Sequence, residues 1–348
     1  SGGVGRSTLA ASIGSRLLRR GHDVCLVDAD SSGPSLGALL DVEGGSSQSP
    51  WSGGALEALR SGTHSRLMVV PAGPPTGSDP SRSSAKRLWS SIQEIDADKV
   101  VIDLPAGSSD VAMDLWLAAD APVLVTVPER MPLEATARLL ARVFSRRAEP
   151  WLARRFGAAR ARAVLAQAWN ECAGRPGTWM RSVAKIAGVS ADDLAEAGDA
   201  KEIHLVVNRA RRGDDVDVGH ALVTAAGHGL GIDLKFRGVL PEDDESWIRA
   251  RRNQGGAPGQ AGDLLAAEVD DFLQRMALGQ DVARPGDWRG SLREAARFAA
   301  GSRLRPILMT AISSLFGFMP LVFASGAGAR SQTSLGAVVF GGLLIRFR

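Results

Sequence analysis

Apolar residues follow two alternating periods through most of the chain. Leucine and isoleucine at positions 9, 13, 17 and 18 have helical spacing, and Gly21 then fits a helix C-cap. Short apolar runs predict buried strands at 24–27, 66–71, 99–103, 121–128, 204–208 and 236–241. Helices are predicted at 7–20, 85–95 and 257–279, with a short helical patch at 55–60. Strands that alternate with helices predict an α/β fold with a doubly wound parallel sheet.

A helical stretch at about 145–201 interrupts the alternation, and we interpret it as a helical insertion. It contains six arginines: Arg146, Arg147, Arg154, Arg155, Arg160 and Arg162. Charge runs on helices usually form a solvated face, which is the interpretation we favour; the alternative is contact with an anionic surface or partner. Because the net charge over 348 residues is only +3, we expect no nucleic acid partner.

The composition is that of a folded protein, with 45% apolar and 23% charged residues. Cys25 and Cys172 lie far apart and form no C-x-x-C pair. This usage argues for a reducing compartment and against a disulfide scaffold or a zinc ribbon. The sequence begins without Met or a signal peptide, and its first predicted helix precedes its first predicted strand. We therefore expect an additional strand N-terminal to Ser1.

A glycine-rich segment lies immediately before the first predicted helix. It contains Gly2, Gly3, Val4, Gly5, Arg6, Ser7 and Thr8. Successive glycines let backbone N–H groups converge on phosphate oxygens, and the helix that follows directs its positive end at them. A hydroxyl from Ser7 or Thr8 can bind Mg²⁺. The segment therefore predicts a site for ATP or GTP.

Polar residues follow several of the predicted strands. Asp28 and Asp30 follow the strand at 24–27, Asp103 ends the strand at 99–103, and Asn208 ends the strand at 204–208. Ligands of such folds bind at the carboxyl ends of the strands, so these side chains are candidates for the same site. Carboxylates beside a glycine loop suit a metal ion and an oriented nucleophile, which phosphoryl transfer needs.

Five motifs occur in an order that resembles the MinD/ParA/FlhG family of deviant Walker-type ATPases over residues 1 to about 278. They are Gly2–Thr8, Val27–Asp30, Ile102–Gly107, Val207–Arg209 and Gly238–Asp243. Residues 118–129 are similar to the FlhG-like branch. Residues 28–35 are closer to the Mrp/Nbp35 branch, which carries iron–sulfur clusters on paired cysteines that this sequence lacks.

The resemblance implies ATP and Mg²⁺ as cofactors and a role for each matching residue. The loop from Gly2 to Thr8 would hold the phosphates, with Arg6 supplying the catalytic positive charge. Asp30 would position the attacking water. Mg²⁺ would be held by Ser7, Asp28 and Asp103. The adenine would lie near Asn208, Pro241, Glu242 and Asp243.

Two residues depart from the family pattern. Ser1 stands where the signature lysine would reach a dimer partner, and Arg6 replaces the lysine of the loop. A guanidinium is a planar fork and does not substitute freely for an ammonium group. We therefore expect ATP-dependent homodimerisation and hydrolysis to be weakened. The alternative is a nucleotide-binding pseudoenzyme that acts as an interaction module.

The amphipathic helix at 257–279 has two interpretations. It is either the last helix of the ATPase domain or a membrane-targeting helix. Its polar face carries four acidic residues that anionic lipids would repel: Asp263, Glu268, Asp270 and Asp271. We favour the last helix of the domain.

The last part of the chain has a different character after a predicted linker at 281–290. Arginines precede an uncharged apolar stretch at 306–324. This stretch is close in length to a transmembrane helix, which needs about 20 residues. A second apolar segment at 334–345 is too short to cross. Residues 303–311, 316–321, 325–329 and 340–342 resemble resistance-nodulation-division (RND) efflux permeases. The resemblance implies a transmembrane-like hairpin with inner-membrane association, without the proton-relay helix that transport requires.

These observations predict a P-loop NTPase domain at 1–280 in the cytoplasm and a permease-like fragment at 291–348. The predicted function is an ATP-binding, weakly hydrolysing regulator or positioning protein whose protein partner the sequence does not name. The alternative is an efflux transporter fragment fused to part of an NTPase, by natural fusion or by a junction of gene fragments.

Overall fold

A computed structural model of the chain describes residues 3–30, 36–40, 42, 49–52, 56, 58–60, 65–72, 81–105, 109–172, 176–195, 201–211, 213, 215–242 and 263–283. All of them lie in one compact unit that ends at Arg284. The helices are α1 (Arg6–Arg19), α2 (Leu36–Leu39), α3 (Arg82–Gln93), α4 (Asp110–Ala118), α5 (Arg130–Phe156), α6 (Ala158–Glu171), α7 (Trp179–Ala187), α8 (Ala191–Ala195), α9 (Asp215–Leu230) and α10 (Asp263–Leu278). The strands are β1 (Val24–Asp28), β2 (Leu59–Arg60), β3 (Leu67–Val70), β4 (Lys99–Asp103), β5 (Val123–Thr126), β6 (Ile203–Ala210) and β7 (Leu234–Pro241).

The strands form two sheets within the described residues, in the orders β2-β3-β1-β4 and β5-β6-β7. All neighbours are parallel except β2 and β3. Helix α1 joins the two sheets through one apolar cluster, because Leu9 and Ile13 pack with Val206 and Leu240 of the second sheet and with Val101 of the first. The α/β class and the parallel pairing are therefore confirmed, and the described strands are divided between two sheets.

Two predictions for local structure were wrong in part. The helical patch predicted at 55–60 ends in strand β2, whose Leu59 pairs with Val69 at the sheet edge. A two-residue edge strand depends on its neighbour's unpaired backbone groups, and the sequence gives no local signal for it. The helical insertion begins earlier than 145, because α5 starts at Arg130. Helices α5 to α8 follow one another from there to Ala195.

Helix α10 is packed into the domain by its apolar face. Val269 and Phe272 are fully buried in the cluster that contains Leu9 and Ile13 of α1. On the polar side, Asp270 forms ion pairs with Arg16 of α1 and with Arg20, the C-cap residue of that helix. These contacts support the interpretation of this segment as the last helix of the domain.

The predicted permease-like fragment at 291–348 lies outside the described residues. Within the part of the chain that the structure describes, no helix combines the length and apolar character that crossing a bilayer requires.

Candidate nucleotide site

The glycine segment forms a tight turn into the N-terminus of α1. Gly5 is the N-cap residue of α1 and has φ 85° and ψ 26°, a left-handed conformation that favours glycine. Its carbonyl accepts the helix bond from the Leu9 N–H at 2.9 Å, while Val4 is buried. The free N–H groups of the first helical turn therefore lie directly beside the loop, as an anion site requires. Gly2 and Ser1 lie outside the described residues.

Two aspartates lie side by side at the carboxyl ends of adjacent strands. Asp28 of β1 is the register partner of Asp103 of β4, and both are buried. Both carboxylate oxygens of Asp28 accept backbone N–H groups at 3.1 Å, one from Asp30 and the other from Leu36. Asp28 is therefore fixed in place, and it holds the chain that leaves β1.

Asp103 is less well satisfied than Asp28. Its Oδ2 is buried and accepts no hydrogen bond from the described residues. Burial raises the pKa of Asp103 to about 6, and the nearby Asp28 and Asp30 carboxylates also raise it. A hydrogen bond from the Ser7 hydroxyl and the charge of Arg6 act in the opposite direction. The arrangement therefore leaves a carboxylate oxygen that would gain from a cation.

Arg6 points across the mouth of the site and not out into solvent. Its Nη1 donates to the carbonyl oxygen of Pro105 at 2.8 Å, and its Nη2 lies 4.0 Å from Oδ2 of Asp30. The side chains of Arg6 and Asp30 keep 27% and 11% of their surface exposed, so both remain reachable from solvent. Arg6 and Asp30 thus lie close to each other, and both are near enough to Asp103 to act on its pKa.

Asn208, two residues before the end of β6, contacts the glycine loop. Its Nδ2 donates to the Val4 carbonyl oxygen at 2.8 Å. The residues near the end of β7 form a separate group, in which Arg211 pairs with Glu242 and the Glu242 N–H donates to the Ala210 carbonyl at 3.0 Å. Pro241 ends β7, and Asp243 lies outside the described residues.

The structure brings most of the predicted residues to one edge of the molecule and adds some that the sequence did not indicate. The Pro105 carbonyl contacts Arg6 and the Leu36 N–H contacts Asp28, while Arg211 contacts Glu242 in the separate group near the end of β7. Leu36 and Pro105 act through backbone groups, which leave no mark in the residue type. Arg211 is an exposed arginine with no motif around it.

The oxygen atoms of this site suit Mg²⁺. Hard divalent ions prefer carboxylate and hydroxyl oxygens, and Mg²⁺ is usually held by one or two carboxylates together with water and phosphate. The unpartnered Oδ2 of Asp103 and the adjacent Ser7 hydroxyl match that chemistry. Among the described residues, no group of three or more His, Cys, Asp or Glu could hold a metal ion unaided.

Comparison with known proteins supports two separate resemblances. Residues 1–149 match the model of the ParA family, described as NUBPL iron-transfer P-loop NTPases. Residues 287–346 match the AcrB/AcrD/AcrF family model. The chain thus contains a segment similar to P-loop NTPases and a second segment similar to RND permeases. Both resemblances drawn from the sequence motifs are confirmed.

Among solved structures, the MinC:MinD cell division complex of Aquifex aeolicus aligns with a TM-score of 0.50 at 17% identity, over 82% of this chain and 95% of that chain. MinD of Pyrococcus horikoshii, solved with Mg-ADP, aligns with a TM-score of 0.48 at 19% identity, over 79% and 92%. At such identities the first of these shows the fold alone, which is the P-loop NTPase α/β fold.

Two curated relatives match short stretches of the chain. The cobalt-zinc-cadmium resistance protein CzcA of Cupriavidus metallidurans is 50% identical over 54 residues, or 16% of this chain and 5% of that protein. The multidrug resistance protein MdtC of Yersinia pseudotuberculosis is 47% identical over 82 residues, or 24% and 8%. The chain therefore spans less than a tenth of the length of these relatives.

Proposed function

We propose that this chain binds a nucleoside triphosphate, ATP by preference, together with Mg²⁺ at the N-terminus of α1, and that it hydrolyses the nucleotide slowly. The observation that carries the proposal is the buried, unpartnered Oδ2 of Asp103 next to the Ser7 hydroxyl and the Asp28 carboxylate. A buried carboxylate oxygen without a hydrogen-bond partner destabilises the fold unless a bound cation interacts with it.

The residues of the site divide the work of binding. Gly3, Gly5 and the first turn of α1 offer backbone N–H groups to the phosphates. Ser7, Asp28 and Asp103 would hold Mg²⁺, which neutralises phosphate charge when bound. The family resemblance assigns Asn208, Pro241, Glu242 and Asp243 to the adenine, and Asn208 also contacts the loop.

Arg6 and Asp30 determine how fast turnover can be. Asp30 is the candidate for orienting the attacking water, and Arg6 lies close to it at 4.0 Å. Before the Arg6 guanidinium can contact a phosphate it must leave the Pro105 carbonyl, and its planar fork differs in shape from an ammonium group. Both features favour binding with slow turnover, which suits a regulator or positioning protein better than a metabolic enzyme.

The test is Mg-ATP binding and phosphate release by the full chain. We expect saturable binding that requires Mg²⁺, and phosphate release that Asp30→Ala abolishes without preventing binding. Asp96→Asn, at an exposed residue remote from the site, is the matched control and should change neither quantity. The proposal fails if the unaltered protein binds no nucleotide in the presence of Mg²⁺. Binding without any phosphate release would favour the pseudoenzyme alternative.

A second candidate function rests on the match of residues 287–346 to the AcrB/AcrD/AcrF family. In that case the C-terminal segment attaches the chain to the inner membrane as a permease fragment. The full chain should then stay with the membranes when they are washed with alkaline carbonate. Leu308→Arg, in the apolar stretch, should let the wash extract it. Complete extraction of the unaltered chain would rule this candidate out.

A further inference from the structure

We propose that Asn208 is a positioning residue that holds the phosphate loop in its binding conformation from the end of β6. The inference rests on the proposed function, because a positioned loop matters only if phosphate binds there. It differs from the role that the family resemblance implies for Asn208, which is a contact with the adenine.

The contact between Asn208 and the loop is both polar and steric. The Nδ2 of Asn208 donates to the Val4 carbonyl at 2.8 Å. A Cβ atom on Gly5 would lie only 2.3 Å from the same Nδ2. The amide of Asn208 therefore lies close against Val4 and Gly5, in space that a side chain at position 5 would otherwise fill.

The Asn208 side chain is itself held from both ends. Its Oδ1 accepts the backbone N–H of Arg209 at 2.9 Å. Among the described residues, Arg209 is the one non-glycine residue with a positive φ, at 55°. The amide orientation, with Nδ2 towards the loop, follows from these two hydrogen bonds.

The hydrogen bond that orients the Val4 carbonyl also orients the Gly5 N–H, which is a donor of the loop. The peptide bond is planar and trans, so the Val4 C=O and the Gly5 N–H point in opposite directions. When Asn208 holds the carbonyl towards β6, the Gly5 N–H is directed to the other side of the loop. Val4 is buried, so its side chain resists rotation of the same peptide. A loop whose amides are already oriented binds phosphate without the cost of ordering them.

The experiment compares ATP with inorganic tripolyphosphate, which has no base. Binding of each to the full chain is measured by calorimetry with Mg²⁺, before and after Asn208→Ala. Loss of one hydrogen bond predicts that both affinities fall by the same factor, about two- to tenfold. Asn170→Ala, at an exposed asparagine of α6, is the matched control and should leave both affinities unchanged.

The outcomes separate the two roles of Asn208. A fall in ATP affinity with unchanged tripolyphosphate affinity identifies a base contact and overturns the positioning role. Unchanged affinity for both ligands overturns it as well. If the unaltered protein binds neither ligand, the proposed function fails and this inference fails with it. Near-ultraviolet circular dichroism of the variant shows whether the fold is retained.

A second variant tests the contact even if Asn208→Ala alters the fold. Gly5→Ala should weaken tripolyphosphate binding in the unaltered chain, because the new methyl group meets Nδ2 and because φ is positive. In the Asn208→Ala background this steric clash is absent, so Gly5→Ala should lower the tripolyphosphate affinity by a smaller factor. Equal factors in the two backgrounds would show that Asn208 does not act on the loop.

Discussion

Replacing Asp103 by Asn should stabilise the protein while it destroys the magnesium site. The pKa of the Asp103 carboxyl is about 6 against an ordinary value of 3.8. One pKa unit corresponds to 1.36 kcal/mol, so keeping this carboxylate ionised at pH 7.5 costs roughly 3 kcal/mol of the free energy of unfolding. Asn has the same shape and no charge, and its amide can donate to the neighbouring Asp28.

The sign of the pH dependence follows from the raised pKa. The contribution of Asp103 to stability is fully present below pH 3.8 and is lost as the pH rises through about 6. The increase in the free energy of unfolding that Asp103→Asn brings over the unaltered protein should therefore be about half as large at pH 5 as at pH 7.5. Urea unfolding of the full chain without nucleotide, followed by the fluorescence of its eight tryptophans, measures both values.

Mg-ATP supplies the second half of this test. A ligand that binds the native state raises the unfolding free energy of the unaltered protein, and this rise should be absent from Asp103→Asn. Asp96→Asn should change stability by less than about 0.5 kcal/mol and keep the response to Mg-ATP. Equal or lower stability of Asp103→Asn at pH 7.5 would refute the account of Asp103 as an uncompensated carboxylate.

Two further predictions concern the loop and the packing of α9. Arg6→Lys removes the guanidinium bond to the Pro105 carbonyl and supplies a compact ammonium group, so phosphate release should rise at least about tenfold; an unchanged rate would show that Arg6 does not limit turnover. Gly219→Ala would bring a methyl group to 2.2 Å from the Phe236 ring and should lower the unfolding free energy by about 1–3 kcal/mol. Gly227→Ala, in the same helix but with open space around it, should instead raise the unfolding free energy by about 0.5–1 kcal/mol, and equal effects of the two changes would contradict the packing.

The sequence by itself determined the features that depend on neighbouring residues. The helical period from Ser7 specifies α1 and the apolar run at 24–27 specifies β1, because burial of one helix face or of a whole strand leaves a direct pattern. The apolar run at 99–103 also marks β4, which is only partly buried up to Asp103. The glycine loop and the aspartates at strand ends could be proposed from the sequence because their residue types and spacing are typical of a nucleotide site. The two family resemblances depend on such ordered motifs and were confirmed by the family models.

Only the tertiary structure decided which groups meet across long stretches of chain. The contact of Asn208 with the Val4 carbonyl joins residues 204 positions apart, and the contact of Arg6 with the Pro105 carbonyl joins residues 99 apart. Both acceptors are backbone oxygens, which every residue type has, so no sequence pattern could predict these contacts. The raised pKa of Asp103 has the same origin, since burial beside Asp28 exists only when β1 and β4 lie in register.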